Sequence, residues 1–469
     1  SLVWRWVSLE AWARVFLDSQ NWMPQSLSHN SGDRATGGAA VLIQGRFAWP
    51  SGEQSPKQTC LPPPSGAVLG GPTFNATGSS MMRKRVCLLT TVHPPFDTRI
   101  FHKQAKTLVE AGYDVTLIAQ HKRPEIIDGI RILPLPTPKN RLQRMIYTTF
   151  YAFTLSLKER ADVYHLHDPE LLPIGLVLKL LTNGKVIYDV HENVPAQILT
   201  KRWIPHLMRK PVSWLFNFFE RITTRFIDKL IAAIDSIAAR FPSDKVITVH
   251  NYPHIDFFIN TIDIIHNSSK DYCTLIYVGG LTEERGIYEL VRSLEFVDSK
   301  LPLRLKLIGK FYPPTFESRL RSLRAFAKVD YLGWLPYEEA MAHLKNADIG
   351  IVLFHPIPNH LESGPNKLFE YMAAGLPVIA SNFPLWKELV EGNKCGLTVN
   401  PLDPREIGWA IEYLITHPGE ARQMGENGRQ AVLNRYNWEK EGEKLLAVYK
   451  RLLGDYMHLP KGGGIEPAR

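Results

Sequence analysis

Cysteine is scarce in this chain. Cys60, Cys87, Cys273 and Cys395 are the four among 469 residues, and they stand far apart, in no metal-ligand spacing and no disulfide framework. A stapled secreted scaffold and a zinc module are thereby excluded as organising principles, and a reducing, cytoplasmic compartment is expected. Long apolar runs are missing as well: no stretch approaches the about 20 apolar residues that a membrane-spanning helix needs. The opening Ser1-Leu2-Val3-Trp4-Arg5-Trp6 lacks a basic start and a clean apolar core before a small-residue cleavage site, so it does not read as an export signal. No serine sits in a Gly-x-Ser-x-Gly elbow, which removes the usual esterase nucleophile. Acidic side chains are the minority charge, 46 Asp and Glu against 55 Lys and Arg, for a net charge of +9 and a pI near 9.2. The imbalance points to anionic partners: nucleic acid, lipid headgroups or a phosphorylated substrate. No nucleic-acid motif accompanies the charge, and that partner ranks last.

What is present is enough ordinary apolar sequence for two core-bearing domains. Residues 1–80 stand apart, Trp-rich at first and then crowded with Gly, Ser, Pro and Gln, with no sustained period; a disordered or non-native leader is expected there. Met81-Met82-Arg83-Lys84-Arg85 runs straight into the apolar stretch Val86–Thr91, and natural translation is expected to begin at Met81 or Met82. From Val86 the chain alternates strands and helices. Val86–Thr90, Val115–Ala119, Val163–Leu166, Val186–Tyr188, Leu230–Ala233 and Val246–Val249 predict one parallel sheet. A polar stretch over 256–271 predicts a linker, and Thr274–Val278, Leu303–Ile308, Val329–Leu332, Asp348–Phe354 and Val378–Ser381 predict a second sheet. The fold class is therefore α/β, two doubly wound, Rossmann-like domains over 81–255 and 272–438. Ligands would bind beyond the carboxyl ends of their strands. A long amphipathic helix follows near 439–456, and 457–469 reads as a disordered tail.

One stretch concentrates the chemistry. In Leu361 to Ala380, Ser363 and Gly364 before Pro365 predict a helix start with proline at its first position, Gly375 ends the helix, and Val378-Ile379-Ala380 is a buried strand. The free N–H groups of such a helix start favour phosphate, and Lys367 in its first turn adds charge. Glu370, three residues on, shares that face and offers a carboxylate to paired hydroxyls such as those of a ribose. Glu362 lies just outside. An ordinary capped helix with a solvated glutamate would look the same.

The spacing Glu362, seven residues, Glu370, followed by Tyr-Met-Ala-Ala-Gly-Leu-Pro-Val-Ile-Ala, resembles the signature of the retaining nucleotide-sugar glycosyltransferases of the GT-B fold, family 4 or group 1. The resemblance covers about residues 83 to 453. It implies that Glu370 holds the ribose, that Glu362 lies by the donor sugar, and that Ser363, Gly364, Pro365, Asn366, Lys367 and Leu368 line the donor. Thr274–Val278 runs into Gly279-Gly280 and Arg285-Gly286, the parts of a phosphate cradle, similar to the family's first donor loop. The family commonly carries an arginine directly after the first glycine; this chain has Gly280, and Lys367 is the expected substitute. Gly333-Trp334-Leu335-Pro336 resembles the segment whose backbone, at Gly333 and Leu335, meets the nucleotide base.

The first domain places polar residues at its strand ends: His93 and Asp97, Asp168 and Glu170, Asp189, His191 and Glu192, His250 and Asn251. For any one of these histidines a structural role is as good a reading as a catalytic one. Tyr188-Asp189-Val190-His191-Glu192 resembles the family loop that brings a histidine to the donor sugar. His93-Pro94-Pro95-Phe96-Asp97 resembles a bacterial variant of the first loop, which places His93, Asp97, Asp168 and Glu192 on the acceptor side. Asp168 before Pro169 also reads simply as a helix start, and a metal pair of Asp168 with Glu170 is not expected.

Between Lys201 and Lys229, seven Lys and Arg interleave with Trp203, Trp214, Phe216, Phe218, Phe219 and Phe226. Basic side chains on lipid phosphates with rings at headgroup level fit an anionic membrane face; aromatics packed on a core with solvated charges fit equally. A second such run spans Lys139 to Arg160.

The resemblance therefore implies a two-domain enzyme moving a sugar from a nucleotide diphosphate donor to a glycan, with a lipid-linked glycan as the expected acceptor class, in bacterial surface polysaccharide synthesis. Glu362 and His191 are the expected catalytic residues, and neither metal nor other cofactor is expected. A GT-B epimerase or phosphorylase, or an idle sugar-nucleotide scaffold, are the rival classes. The intact Glu362 speaks against the scaffold.

Overall fold

The computed structural model describes residues 83–201, 204–261, 271–362 and 364–454. The expected 1–80 leader, residues 262–270 of the expected linker, Ser363 and the expected 457–469 tail lie outside them.

Two sheets form. The first contains β1 (Arg85–Leu89), β2 (Asp114–Gln120), β3 (Glu125–Ile127), β4 (Ile130–Leu135), β5 (Val163–Leu166), β6 (Lys185–Val190), β7 (Lys229–Ala232) and β8 (Val246–Thr248), in the spatial order β3-β4-β2-β1-β5-β6-β7-β8. The second contains β9 (Cys273–Val278), β10 (Leu303–Ile308), β11 (Val329–Gly333), β12 (Ile349–Val352), β13 (Val378–Ser381) and β14 (Gly396–Val399), in the order β11-β10-β9-β12-β13-β14. Every pairing is parallel except β3 with β4.

The period of two in the strands builds a core on each face. Val86 and Leu88 of β1 enter one apolar cluster and Cys87 and Leu89 the opposite one. In β9, Leu275 and Tyr277 enter one cluster and Ile276 the other. Both sheets are thus buried on both sides, which is why their strands read as continuous apolar runs.

The strand order reverses direction beside β1 and β5 in the first sheet and beside β9 and β12 in the second. Crevices open at such points. Thr90 to His93 and His167-Asp168 follow the first pair of strands, and Gly279 and Leu353-Phe354 follow the second.

Three strands were not foreseen: β3, β4 and β14. The β3–β4 hairpin turns at Asp128-Gly129 between two isoleucine-rich runs, a short-range signal that the sequence did contain. The expected strand over Asp348–Phe354 is shorter in the structure, because Leu353 and Phe354 leave the ladder to form the floor of the second crevice. The first part of the expected linker is a helix, Ile255–Thr261, whose Phe258 is buried in a core of the second sheet. The helix Trp438–Leu453 packs back on the first sheet, with Trp438, Leu445, Val448 and Tyr449 in its core and Trp438 Nε1 donating to Thr107 Oγ1 at 2.9 Å. Among the described residues, Cys87, Cys273 and Cys395 form no disulfide.

Candidate active site

The donor half grows from two loops of the second sheet. After β9, Gly279 has φ +135°, open to glycine and strained for other residues. A Cβ there would stand 3.2 Å from both Arg285 Nη1 and Lys367 Cε, and 3.3 Å from Lys367 Nζ. Gly279 therefore marks the point on which the two cations converge. Lys367 Nζ also lies over the rings of Phe354 and Tyr277, at 5.0 and 5.4 Å, and the Arg285 guanidinium lies 5.3 Å over Phe354. Burial, then repulsion from Arg285, pushes the Lys367 amine well below its usual range, partly offset by Glu370. Two like charges held together in this way make a site that gains from an anion. Gly280, by contrast, spends its carbonyl on the Tyr277 hydroxyl at 3.1 Å.

The helix that carries Lys367 spans Asn366–Ala373, with Pro365 just before it rather than at its first position. Gly375 terminates it as expected, its N–H reaching Met372 O. Leu368 is fully buried in the core, where its side chain anchors the helix, and its N–H bonds Pro365 O at 3.0 Å. Glu370 accepts from the Tyr337 hydroxyl at 3.0 Å. Burial raises its carboxyl, offset in part by Lys103 and Lys367. Tyr337 directly follows Gly333–Pro336, so that loop, with Gly333 at the end of β11 and Leu335 packed on the core, leads to the Glu370 carboxylate.

On the first sheet, most predicted polar residues hold the loops. Asp168 Oδ2 accepts from Thr91 N at 2.6 Å, Thr90 Oγ1 at 2.9 Å and Val92 N at 3.2 Å. Its side chain makes no cap to the short 3₁₀ helix Pro169–Leu171; it clamps the loop after β1. Asp97 Oδ1 accepts from the N–H groups of Arg99 and Ile100, at 2.8 and 3.0 Å. His93 lies between Asp97 and Asp168 at 3.6 and 3.7 Å. Burial alone would lower its pKa, but the bond to Asp97 and the charges of Asp168, Asp97 and Glu192 raise it to about 9. Glu192 is exposed and accepts from Gln197 Nε2 at 2.5 Å.

Asp189 is the residue around which this half is built. It is fully buried and bound by Arg99 through Nε and Nη2 at 3.1 and 2.9 Å, with Gln104 Nε2 at 2.5 Å. His165, His167 and Asp189 bring ligand atoms within 4.8 Å of one another. The guanidinium already neutralises the carboxylate, so this donor set does not fit a cation; it is a buried ion pair with histidines packed around it. His191 meets His167 Nδ1 through Nε2 at 3.2 Å and its ring lies 5.2 Å from that of His93. Burial lowers the His191 pKa to about 4 against the pull of Asp189, so its imidazole is neutral at pH 7.

A cleft of ≈ 1120 Å³ joins the two halves, and His191, Arg99, Glu362, Gly364 and Asn366 all line it. The helix Pro358–Leu361, which ends at Glu362, neighbours the helix Val194–Thr200 that follows His191. Glu362 is exposed. The structure thus brings Glu362, His191, Gly364 and Asn366 to one cavity and Gly279, Arg285, Lys367 and Glu370 to an adjoining cradle. Asp97, Asp168 and Glu192 do not line the cleft. Sequence reasoning missed Arg99, Lys103 and Tyr337. Lys103 donates to Asn251 Oδ1 at 2.6 Å and feels the charge of Glu370, while burial lowers its amine to about 7. No local pattern marks these three, because each becomes relevant only where distant segments meet.

Two family models match: the glycosyl transferase 4-like domain over residues 98–251 and the glycosyl transferases group 1 model over 258–431. The chain belongs to the group 1 glycosyltransferases. This glycosyltransferase is 22% identical over 391 residues to the MMP alpha-(1->4)-mannosyltransferase of Mycolicibacterium hassiacum, covering 74% of this chain and 93% of that one. It is 24% identical over 436 residues to the chitobiosyldiphosphodolichol beta-mannosyltransferase of Debaryomyces hansenii, covering 81% and 90%. Its fold matches the sucrose-phosphate synthase of Thermosynechococcus elongatus with a TM-score of 0.63 at 20% identity, over 79% of this chain and all of that one. The fold is GT-B, and the enzyme is a nucleotide-sugar glycosyltransferase.

Proposed function

We propose that this glycosyltransferase transfers a hexose from a nucleoside diphosphate donor with retention at the anomeric carbon, to a lipid-linked glycan at an anionic membrane face, in the assembly of a bacterial surface polysaccharide. The observation that carries the donor site is the convergence of Arg285 and Lys367 on Gly279. In a water-poor crevice these fixed cations oppose the charge that develops on the departing diphosphate, so the reaction needs no metal for that purpose. Glu370, steadied by Tyr337, takes the ribose hydroxyls, and the Gly333–Pro336 loop shapes the base site. Glu362 and neutral His191 face the sugar from opposite walls of the cleft.

Retention rests on the resemblance of the Glu362–Glu370 stretch to the signature of the retaining family. The names of the relatives include both an alpha- and a beta-mannosyltransferase, so likeness does not choose the anomer. The membrane reading is supported by exposed Trp214, Phe218, Ile222 and Phe226 along the helix His206–Phe226. Among the described residues no helix is long and apolar enough to cross a membrane.

The test is a screen of nucleotide sugars with released nucleoside diphosphate as readout, followed by NMR of the product's anomeric proton. A product anomer matching the donor, activity that survives chelation, and a Glu362→Gln variant that binds donor but turns over at least a hundredfold slower are expected. An inverted anomer would refute retention, and a new nucleotide sugar formed from donor alone would mark an epimerase.

A further inference from the structure

A second pocket lies outside the cleft, under the C-terminal end of the helix His206–Phe226. Its volume is ≈ 480 Å³, and Arg221, Arg225, Arg240 and Lys245 line it against Asp244. Arg221 and Arg225 sit one helical turn apart and are exposed. Arg240, reaching in from the next loop, is held from below: Nη2 donates to Glu220 and to Asn217, and its guanidinium lies 5.3 Å over the Phe241 ring. Its Nη1 is buried and meets no acceptor among the described residues. Lys245 is held in place by the carbonyl of Ile227, at 3.1 Å, and by that of Arg225. Arg221, Arg225 and Lys245 bring their charges to this pocket against the one carboxylate of Asp244, so an anion there gains charge-assisted contacts.

We propose that this pocket binds the phosphate of an anionic lipid headgroup; the proposal rests on the membrane reading above and gives it a specific site. What favours a lipid over a free phosphate is the surface beside the pocket. Trp214, Phe218, Ile222 and Phe226 recur every four residues on the helix, are exposed by 67%, 51%, 41% and 60%, and form a stripe beside Arg221 and Arg225. Trp214 and Phe218 stack at 5.6 Å. Leu180 and Leu181, exposed by 84% and 63%, end the neighbouring helix Leu172–Leu181, and Lys179 ties that helix to Phe226 through its carbonyl at 2.9 Å. An apolar surface of this kind beside a phosphate pocket suits a ligand whose phosphate is tethered to acyl chains, with the rings entering the headgroup layer. A soluble phosphate has no use for it.

Co-sedimentation with vesicles tests the assignment, using the full chain, vesicles of phosphatidylcholine alone and vesicles with phosphatidic acid. Arg221→Gln with Arg225→Gln is compared with a charge-matched pair, Lys210→Gln with Lys158→Gln, both exposed and outside the pocket. Diffuse attraction would lower partitioning of both pairs alike, by about fivefold per charge. The pocket predicts that the arginine pair falls at least tenfold further than the lysine pair, while donor turnover with a soluble acceptor stays unchanged in both. Equal losses would overturn the pocket and leave the membrane reading standing. No binding of the native chain to either vesicle would overturn the membrane reading and with it the lipid source. Calorimetry with glycerol 3-phosphate supplies the remaining arm: saturable binding abolished in the arginine pair, without vesicle binding, would assign the pocket to a soluble phosphate instead.

Discussion

Replacing Glu370 by alanine removes a carboxylate that accepts from the Tyr337 hydroxyl at 3.0 Å and lies in the field of Lys103 and Lys367. In the proposed complex it also accepts from the ribose hydroxyls, and charge-assisted hydrogen bonds of this kind contribute about 1.5–3 kcal/mol. That corresponds to a nucleoside diphosphate bound about 10- to 150-fold more weakly. A second effect has the opposite sign: without Glu370, Lys367 and Lys103 lose a counter-charge and pull harder on the diphosphate. The choice of ligand separates the two. Isothermal titration with a nucleoside diphosphate and its 2′,3′-dideoxy analogue measures the ribose interaction as the difference between ligands, while the electrostatic change cancels. The native enzyme is expected to prefer the ribonucleotide by about 10-fold or more, and Glu370→Ala to lose most of that preference. Equal discrimination in both proteins would refute the placement of the ribose at Glu370, whatever the change in absolute affinity.

Gly279→Ala puts a methyl group 3.2 Å from Arg285 Nη1 and Lys367 Cε at φ +135°, so diphosphate affinity should fall by at least tenfold with a smaller loss for the nucleoside alone, as titration would show. Arg99→Leu leaves Asp189 charged, buried and without its guanidinium; urea denaturation should record a loss of about 3–5 kcal/mol, and a loss under about 1 kcal/mol would contradict the central role of that pair. His93 gains its charge on folding, since its pKa rises from 6.5 to about 9. Its stabilising effect is therefore complete below pH 6.5 and is lost as pH rises through about 9, so the margin of the native chain over His93→Asn should shrink across that window in denaturation curves.

The sequence alone determined a great deal, and for a local reason. Parallel strands buried on both faces must be continuous apolar runs, so Val163–Leu166, Leu303–Ile308 and Val378–Ser381 could be read to the residue. The Glu362–Glu370 spacing, the Gly279-Gly280 turn and Arg285-Gly286 lie within short segments, and their likeness to the group 1 glycosyltransferases rested on contiguous residues. Leu368 shows where such a motif stops being informative: adjacent to Lys367, it differs only in pointing to the core, which depends on the sheet packed beneath it. The carboxylates of the first domain show the same limit. Asp97, Asp168 and Asp189 are alike as letters, yet one caps a helix start, one clamps the loop after β1 and one is neutralised by Arg99, which lies 90 residues earlier. Convergences of about that length or longer, Arg285 with Lys367 at Gly279 and Lys103 toward Glu370, are products of strand order and domain apposition. No local pattern encodes them, because each pair of side chains meets only after separate segments have been laid against their sheets.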